Sequence, residues 1–193
     1  MSLPRRLGPL SLLCWCLAAG SATSTTVIPP TFADLVAAAR SIVVAQVAGV
    51  RPVWDVTREG TTIVTQVTFR VEEVWKGAAS PLTQLEFLGG TIGDTTVEVS
   101  GVPTFTVGQR DVLFIGQSVN VVSPLVGLMH GRQRIERDAA TGVDHVRMFD
   151  GRSLGRVEQI GRPRPQALAS GVPMRLSEFA AAVRALVSAG RAP

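Results

Sequence analysis

Tyrosine is absent from the 193 residues, tryptophan occurs three times, and aromatics together make only 5%. That supply is too thin for an extended stacking platform, which needs several flat rings to hold sugars or bases. A dominant sign of charge is missing too, with 19 Lys and Arg against 15 Asp and Glu. Without Arg5 and Arg6, which fall in a segment argued below to be removed, 17 basic residues stand against 15 acidic ones, a balance of +2. Such a balance leaves no electrostatic footprint for nucleic acid. No Gly-X-Y period, sustained heptad or internal repeat occurs, which excludes collagen-like, coiled-coil and solenoid classes. What is present is apolar: 46% of the chain is hydrophobic and only 18% charged, so it can bury a core.

The N-terminus reads as a secretory signal over residues 1–24. Arg5 and Arg6 form a basic start, residues 7–20 run apolar, and Ser21, Ala22, Thr23 and Ser24 supply the small residues of a cleavage site. The apolar run is too short to span a bilayer as a helix, so no membrane span is expected after cleavage. Both cysteines, Cys14 and Cys16, lie inside this run. Leu13 and Trp15 precede them where a lipoprotein signal requires a small residue. The mature chain therefore has no disulfide, no thiolate metal ligand and no cysteine nucleophile. The destination expected is secreted or periplasmic. Among the basic residues only Lys76 is lysine, a bias that suggests a GC-rich bacterial gene.

Residues 25–160 read mostly as strands. Thr31 to Asp34 matches a capping box that opens a short helix to Arg40, with Phe32, Leu35 and Val36 on its apolar side. Residues 41–54 are rich in Val and Ile and suit a central strand broken near Gly49 and Pro52. The sharpest period-2 pattern covers 63–75, where odd positions are mostly apolar and even ones mostly polar. The polar stretch 55–61 joins these two as a hairpin. Further strands are predicted at 82–88, 95–99 and 111–115, with Gly89, Gly90 and Gly93 marking a loop. Short strands at 119–122 and 126–129 are also expected. Residues 132–137 and 143–149 flank a Gly142 turn and form a hairpin. Residues 161–175 read as a Pro/Gly-rich linker. A C-terminal helix over 176–190 starts at Ser177 as its cap, carries Leu176, Phe179, Val183, Leu186 and Val187 on one stripe, and packs on the strands.

Residues able to do chemistry are few. Gly151-Arg152-Ser153-Leu154-Gly155 fits the G-x-S-x-G nucleophile elbow, which needs a strand before it, a helix after it, and a histidine later in the chain. No histidine follows Ser153, so a secreted serine hydrolase using Ser153 is the alternative reading and a turn the preferred one. His130 and His145 lack the carboxylates or thiolates of a zinc site. Asp94 and Glu98 lack calcium-loop spacing. No metal and no cofactor are expected. Arg132 and Arg134 share a strand face, with Arg147 across the hairpin. They form either a solvated face or an anion site for a sulfated or phosphorylated polymer. Trp54 is a candidate contact ring, whereas Trp75 continues the buried stripe of its strand.

Several stretches resemble bacterial exported domains of the netrin-like, tissue-inhibitor-of-metalloproteinase-like group. They are Phe32-Ala-Asp-Leu35, Ser41-Ile-Val-Val-Ala-Gln-Val47, Thr68-Phe-Arg-Val-Glu-Glu-Val-Trp-Lys-Gly77 and Phe105-Thr-Val-Gly-Gln-Arg-Asp-Val-Leu-Phe114. The resemblance spans roughly residues 32–116 and implies an OB-like five-stranded barrel. The expected class is thus mainly β: an OB-like antiparallel barrel with a short N-terminal helix and a C-terminal helix, with a β-sandwich as the alternative. The inhibitors of that group place an N-terminal Cys-x-Cys on a protease zinc. With no cysteine in the mature chain, no functional residue carries over. The expected function is an exported, non-catalytic binding domain with an exported protein or peptidase as partner, its contact surface a barrel face or the loop at 89–103.

Overall fold

The computed structural model describes residues 29–57, 60–117, 122–162 and 172–190. The expected signal at 1–24, positions 119–121 and linker positions 163–171 lie outside the described residues. Helix α1 (Phe32–Ala38) opens on the expected capping box: the Asp34 N–H donates to Thr31 Oγ1, and Asp34 Oδ2 accepts from the Thr31 N–H at 3.0 Å. Phe32, Leu35 and Val36 are buried, as the sequence spacing requires. The eight strands are β1 (Ser41–Thr57), β2 (Gly60–Lys76), β3 (Leu82–Leu88), β4 (Gly90–Ile92), β5 (Thr95–Val97), β6 (Arg110–Ile115), β7 (Arg132–Arg137) and β8 (Asp144–Arg147). The chain is mainly β and antiparallel, with helix α2 (Leu176–Ala189) at its end.

Six strands form one sheet in the order β3-β2-β1-β6-β7-β8. β1 is not broken at Gly49 and Pro52. Instead it is bulged, with register shifts at 42/43, 44/45 and 47/49, and such bulges bend a strand and increase its twist. Pro52 is tolerated because β6 pairs with β1 only from Ser41 to Gln46. Val47 still exchanges backbone hydrogen bonds with Gly108 and Gln109, but among the described residues no strand ladder lies on that side of β1 at Pro52, so none needs the missing N–H. The bent sheet curls until the Leu88 N–H of β3 donates to the Val122 carbonyl at 3.0 Å. The segment after Val122 pairs with the end of β6 through Ile115 and Leu125, so backbone contacts run around a ring enclosing Val47, Val67, Phe69, Phe87 and Leu113.

The other sheet face carries a second core. Ile42, Val44, Val112, Phe114 and Val146 meet Phe32 and Leu35 of α1 and Phe179 and Val183 of α2. Alternation of side chains along β1 and β6 lets one ladder supply both layers. Four expectations need correcting. Gly90 begins strand β4, which forms a tight hairpin with β5. Positions 126–129 are a turn entering a 3-10 helix (Leu128–Gly131), because the chain must double back before β7. Ser177 does not cap α2; the N-cap is Arg175, two residues earlier, whose backbone N–H donates to Glu178 Oε2. The hairpin arm also reaches further than expected, since the polar stretch 55–61 is largely taken up by β1 and β2.

Phe69 is fully buried while its neighbour Arg70 is exposed. Phe69→Ala is therefore expected to lower unfolding free energy by about 3 kcal/mol or more. Arg70→Ala should cost about 0.5 kcal/mol or less. Equal shifts of the denaturant midpoint would contradict this placement of the strand's two faces.

Candidate functional site

A cavity of about 550 Å³ lies at the open end of the β1–β2–β3 curl, within the usual range for a small-ligand pocket. Its floor is aromatic: Phe87 and Phe105 rings stand 4.8 Å apart, and Phe105 meets Phe69 edge-on at 5.2 Å. Val50 and Pro52 of β1 form one wall; Val97, Val99 and the backbone of 100–104 form the other. Among the described residues of the lining, Glu98 is the one that is charged.

Close backbone approach builds this cleft. Gly90 has φ +143°, and a Cβ there would strike Thr65, Ile63 and Pro52. A glycine is required for β4 to cross so near the long hairpin. The crossing is pinned by the Thr65 hydroxyl, which donates to the Gly89 carbonyl at 2.6 Å, and by the Gly89 N–H, which donates to the Ile63 carbonyl at 2.8 Å. The far wall is held by the Met129 N–H, which donates to the Gly101 carbonyl. The stretch 89–103, expected as a contact surface, supplies most of the cleft's rim and wall.

Trp54 lies two positions beyond Pro52 on the same face of β1 and is 49% exposed; Val56 follows at 75%. Together they extend an apolar strip outward from the cleft wall along the hairpin arm. One ring beside one aliphatic is too little for a sugar platform but suits an apolar side chain.

The arginines do not form a shared solvated face. Arg132 is buried, and its Nε donates to Asp111 Oδ1 at 2.9 Å. Its other nitrogens donate to the Thr104 carbonyl and to Gln109 Oε1, and its guanidinium stacks 4.4 Å from the Phe105 ring centroid. It is a fastener between the cleft loop and β7. Asp111 is wholly buried, which pushes its carboxyl above the ordinary range, while the charge of Arg132 opposes that shift. Arg147 pairs with Glu136. Arg134 is half-buried and lines a smaller cavity on the other side of the 101–106 loop.

Ser153 does not sit on a nucleophile elbow. Its backbone bridges to Arg147 of antiparallel β8, and only a three-residue 3-10 turn (Val157–Gln159) follows. Its Oγ is buried without a hydrogen-bond partner among the described residues. His145 Nδ1 is hydrogen-bonded to the Pro173 carbonyl, and His130 meets the Phe149 ring edge-on, where burial lowers its pKa. Among the described residues the geometry offers Ser153 no base.

Sequence reasoning missed the Asp111–Arg132 pair. The signal was there: an aspartate inside the apolar strand Asp111-Val-Leu-Phe-Ile115 must find a cation if it is buried. Among the described residues no group of three or more His, Cys, Asp or Glu side chains is placed to hold a metal ion, and no helix is long and apolar enough to cross a membrane. No family model, curated protein or solved structure matches this chain.

Proposed function

We propose that this protein is an exported, non-catalytic binding domain that takes an apolar segment of an exported protein, with a peptidase as the favoured partner class. The cleft over Phe87 and Phe105 carries the reading: it is concave, apolar and nearly uncharged, and a strip ending at Trp54 and Val56 continues it outward. Such surfaces bind by desolvating apolar side chains, with backbone groups at the rim fixing orientation. The basic start, apolar run and small residues of 1–24 support export. The netrin-like resemblance supports the choice of a peptidase.

A photoreactive residue at Val99 on the cleft wall should crosslink a protein from the exported fraction, whereas one at Arg70 on the opposite strand face should not. Val97→Asp should weaken that capture about tenfold or more, since it places a charge against apolar surface. Equal crosslinking from both positions would argue against the cleft. Ester hydrolysis abolished by Ser153→Ala would overturn the non-catalytic reading in favour of a hydrolase.

A further inference from the structure

Arg132, Arg134 and Arg147 share one face of the β7–β8 ladder, but only two of them are matched by carboxylates. Arg134 stands opposite Asp111 on one side and opposite Arg147 on the other. Asp111 is engaged by Arg132, and Arg147 by Glu136. The Arg134 side chain makes no hydrogen bond and no ion pair among the described residues, although the buried Asp111 carboxylate, already engaged by Arg132, feels its charge. Three guanidiniums against two carboxylates leave one uncompensated positive charge, and it sits on Arg134.

That charge opens into a cavity of about 290 Å³ separated from the Phe87–Phe105 cleft by the 101–106 loop. Among the described residues no acidic side chain lines it. Thr104, Thr106 and Gln109 supply polar groups beside the two arginines, and Met129 and Phe149 supply an apolar wall. A half-buried guanidinium with no internal partner is an anion site, since its fork geometry matches an oxyanion with two bonds. The excess of one charge selects a monoanion. A phosphate dianion or a sulfated polymer would bring more negative charge than the pocket balances. The apolar wall calls for a carbon skeleton behind the anionic head.

We propose that Arg134 anchors the carboxylate of a small organic monoanion in this pocket, either a free acid or the C-terminal end of a peptide. The site is separate from the Phe87–Phe105 cleft, and its failure would leave the reading of that cleft standing.

Calorimetric titration of the full chain tests it with four probes: N-acetylphenylalanine, its primary amide, 3-phenylpropionate and inorganic phosphate. Binding of N-acetylphenylalanine with loss of binding for the amide is the expected result. Binding of 3-phenylpropionate as well identifies a free acid as sufficient; binding of the acetylated residue alone identifies a peptide end. Arg134→Gln should weaken binding about tenfold or more, as loss of a charge-assisted hydrogen bond does. Arg134→Lys should retain part of it, and Arg137→Gln, on the opposite face and paired with Asp144, should leave it unchanged. Each variant's melting curve is recorded alongside, so that a folding defect is not read as lost affinity. Equal binding of acid and amide, binding of phosphate alone, or no binding of either carboxylate would overturn the proposal, as would full affinity in a folded Arg134→Gln protein.

Discussion

Replacing Arg132 by methionine is expected to destabilise the fold by about 3 to 5 kcal/mol, the usual cost of removing one partner of a buried ion pair. The size follows from what is left behind. Asp111 is wholly buried, and its Oδ2 already lacks a hydrogen-bond partner among the described residues. Without Arg132 its Oδ1 loses its cation too. The Thr104 carbonyl and Gln109 Oε1 lose a donor, and Phe105 loses the guanidinium over its ring. Substituting both members, Asp111→Leu with Arg132→Met, should recover much of the loss, because no charge then remains buried. Urea midpoints of the two variants test this. A double variant as unstable as the single one would mean that the loop contacts, not the charge, dominate.

The same pair gives a pH signature. Burial raises the folded-state pKa of Asp111, and Arg132, with a smaller contribution from the charge of Arg134, holds the rise in check. A carboxyl with a raised folded pKa contributes stability fully present below its unfolded pKa and lost as pH rises through the folded one. Removing Arg132 widens that gap. The deficit of Arg132→Met should therefore be smallest near or below the ordinary carboxylate range and grow as pH rises from there. A deficit independent of pH would point to lost packing rather than an uncompensated carboxylate.

The segments behind the family resemblance turn out to have structural work. In Trp75-Lys76-Gly77, Trp75 packs 6.2 Å from the Phe179 ring, and Lys76 Nζ donates to the Val36 and Ala37 carbonyls at the end of α1. Gly77, at φ +70°, has no room for a Cβ beside the Arg40 carbonyl. In Val107-Gly-Gln-Arg110, the Gly108 N–H donates to the Val47 carbonyl, Gln109 receives Arg132, and Arg110 grips Glu72 and Asp144 at 2.8 and 2.7 Å. A lone lysine and an unremarkable turn thus mark where strands and helix lock. Local rules made much of this readable: the capping box, the alternation of β2 and the apolar stripe of α2 depend on neighbours in sequence. The cleft was not readable, because Gly90 crossing Pro52 and Phe105 closing under Phe87 join segments far apart in the chain. Arg132 looked exposed because a strand's polar face normally meets water; here the 101–106 loop covers it.

Phe179→Ala should be comparably damaging, at about 3 to 5 kcal/mol. Its ring is fully buried where three others converge: Phe32 at 5.4 Å, Trp75 at 6.2 Å and Phe114 at 6.3 Å. Those rings come from α1, β2 and β6, so a single side chain of α2 ties both helices to the sheet. Removing it leaves a cavity that rigid strands can fill only in part, and the cavity term adds to the lost transfer energy. For a chain of this size the melting temperature should fall by about 10 °C. Ala185→Ser, on the exposed side of the same helix, should change it by about 2 °C or less, since exposed substitutions lie within about 0.5 kcal/mol. The contrast separates a docked helix from one merely tethered. A helix of 14 residues is marginal alone in water, so it persists through this contact. Truncation before α2 should then cost at least as much as Phe179→Ala. Equal melting temperatures for truncated and full chains would show that α2 is not held by the sheet, and its apolar stripe would then be free to meet another protein.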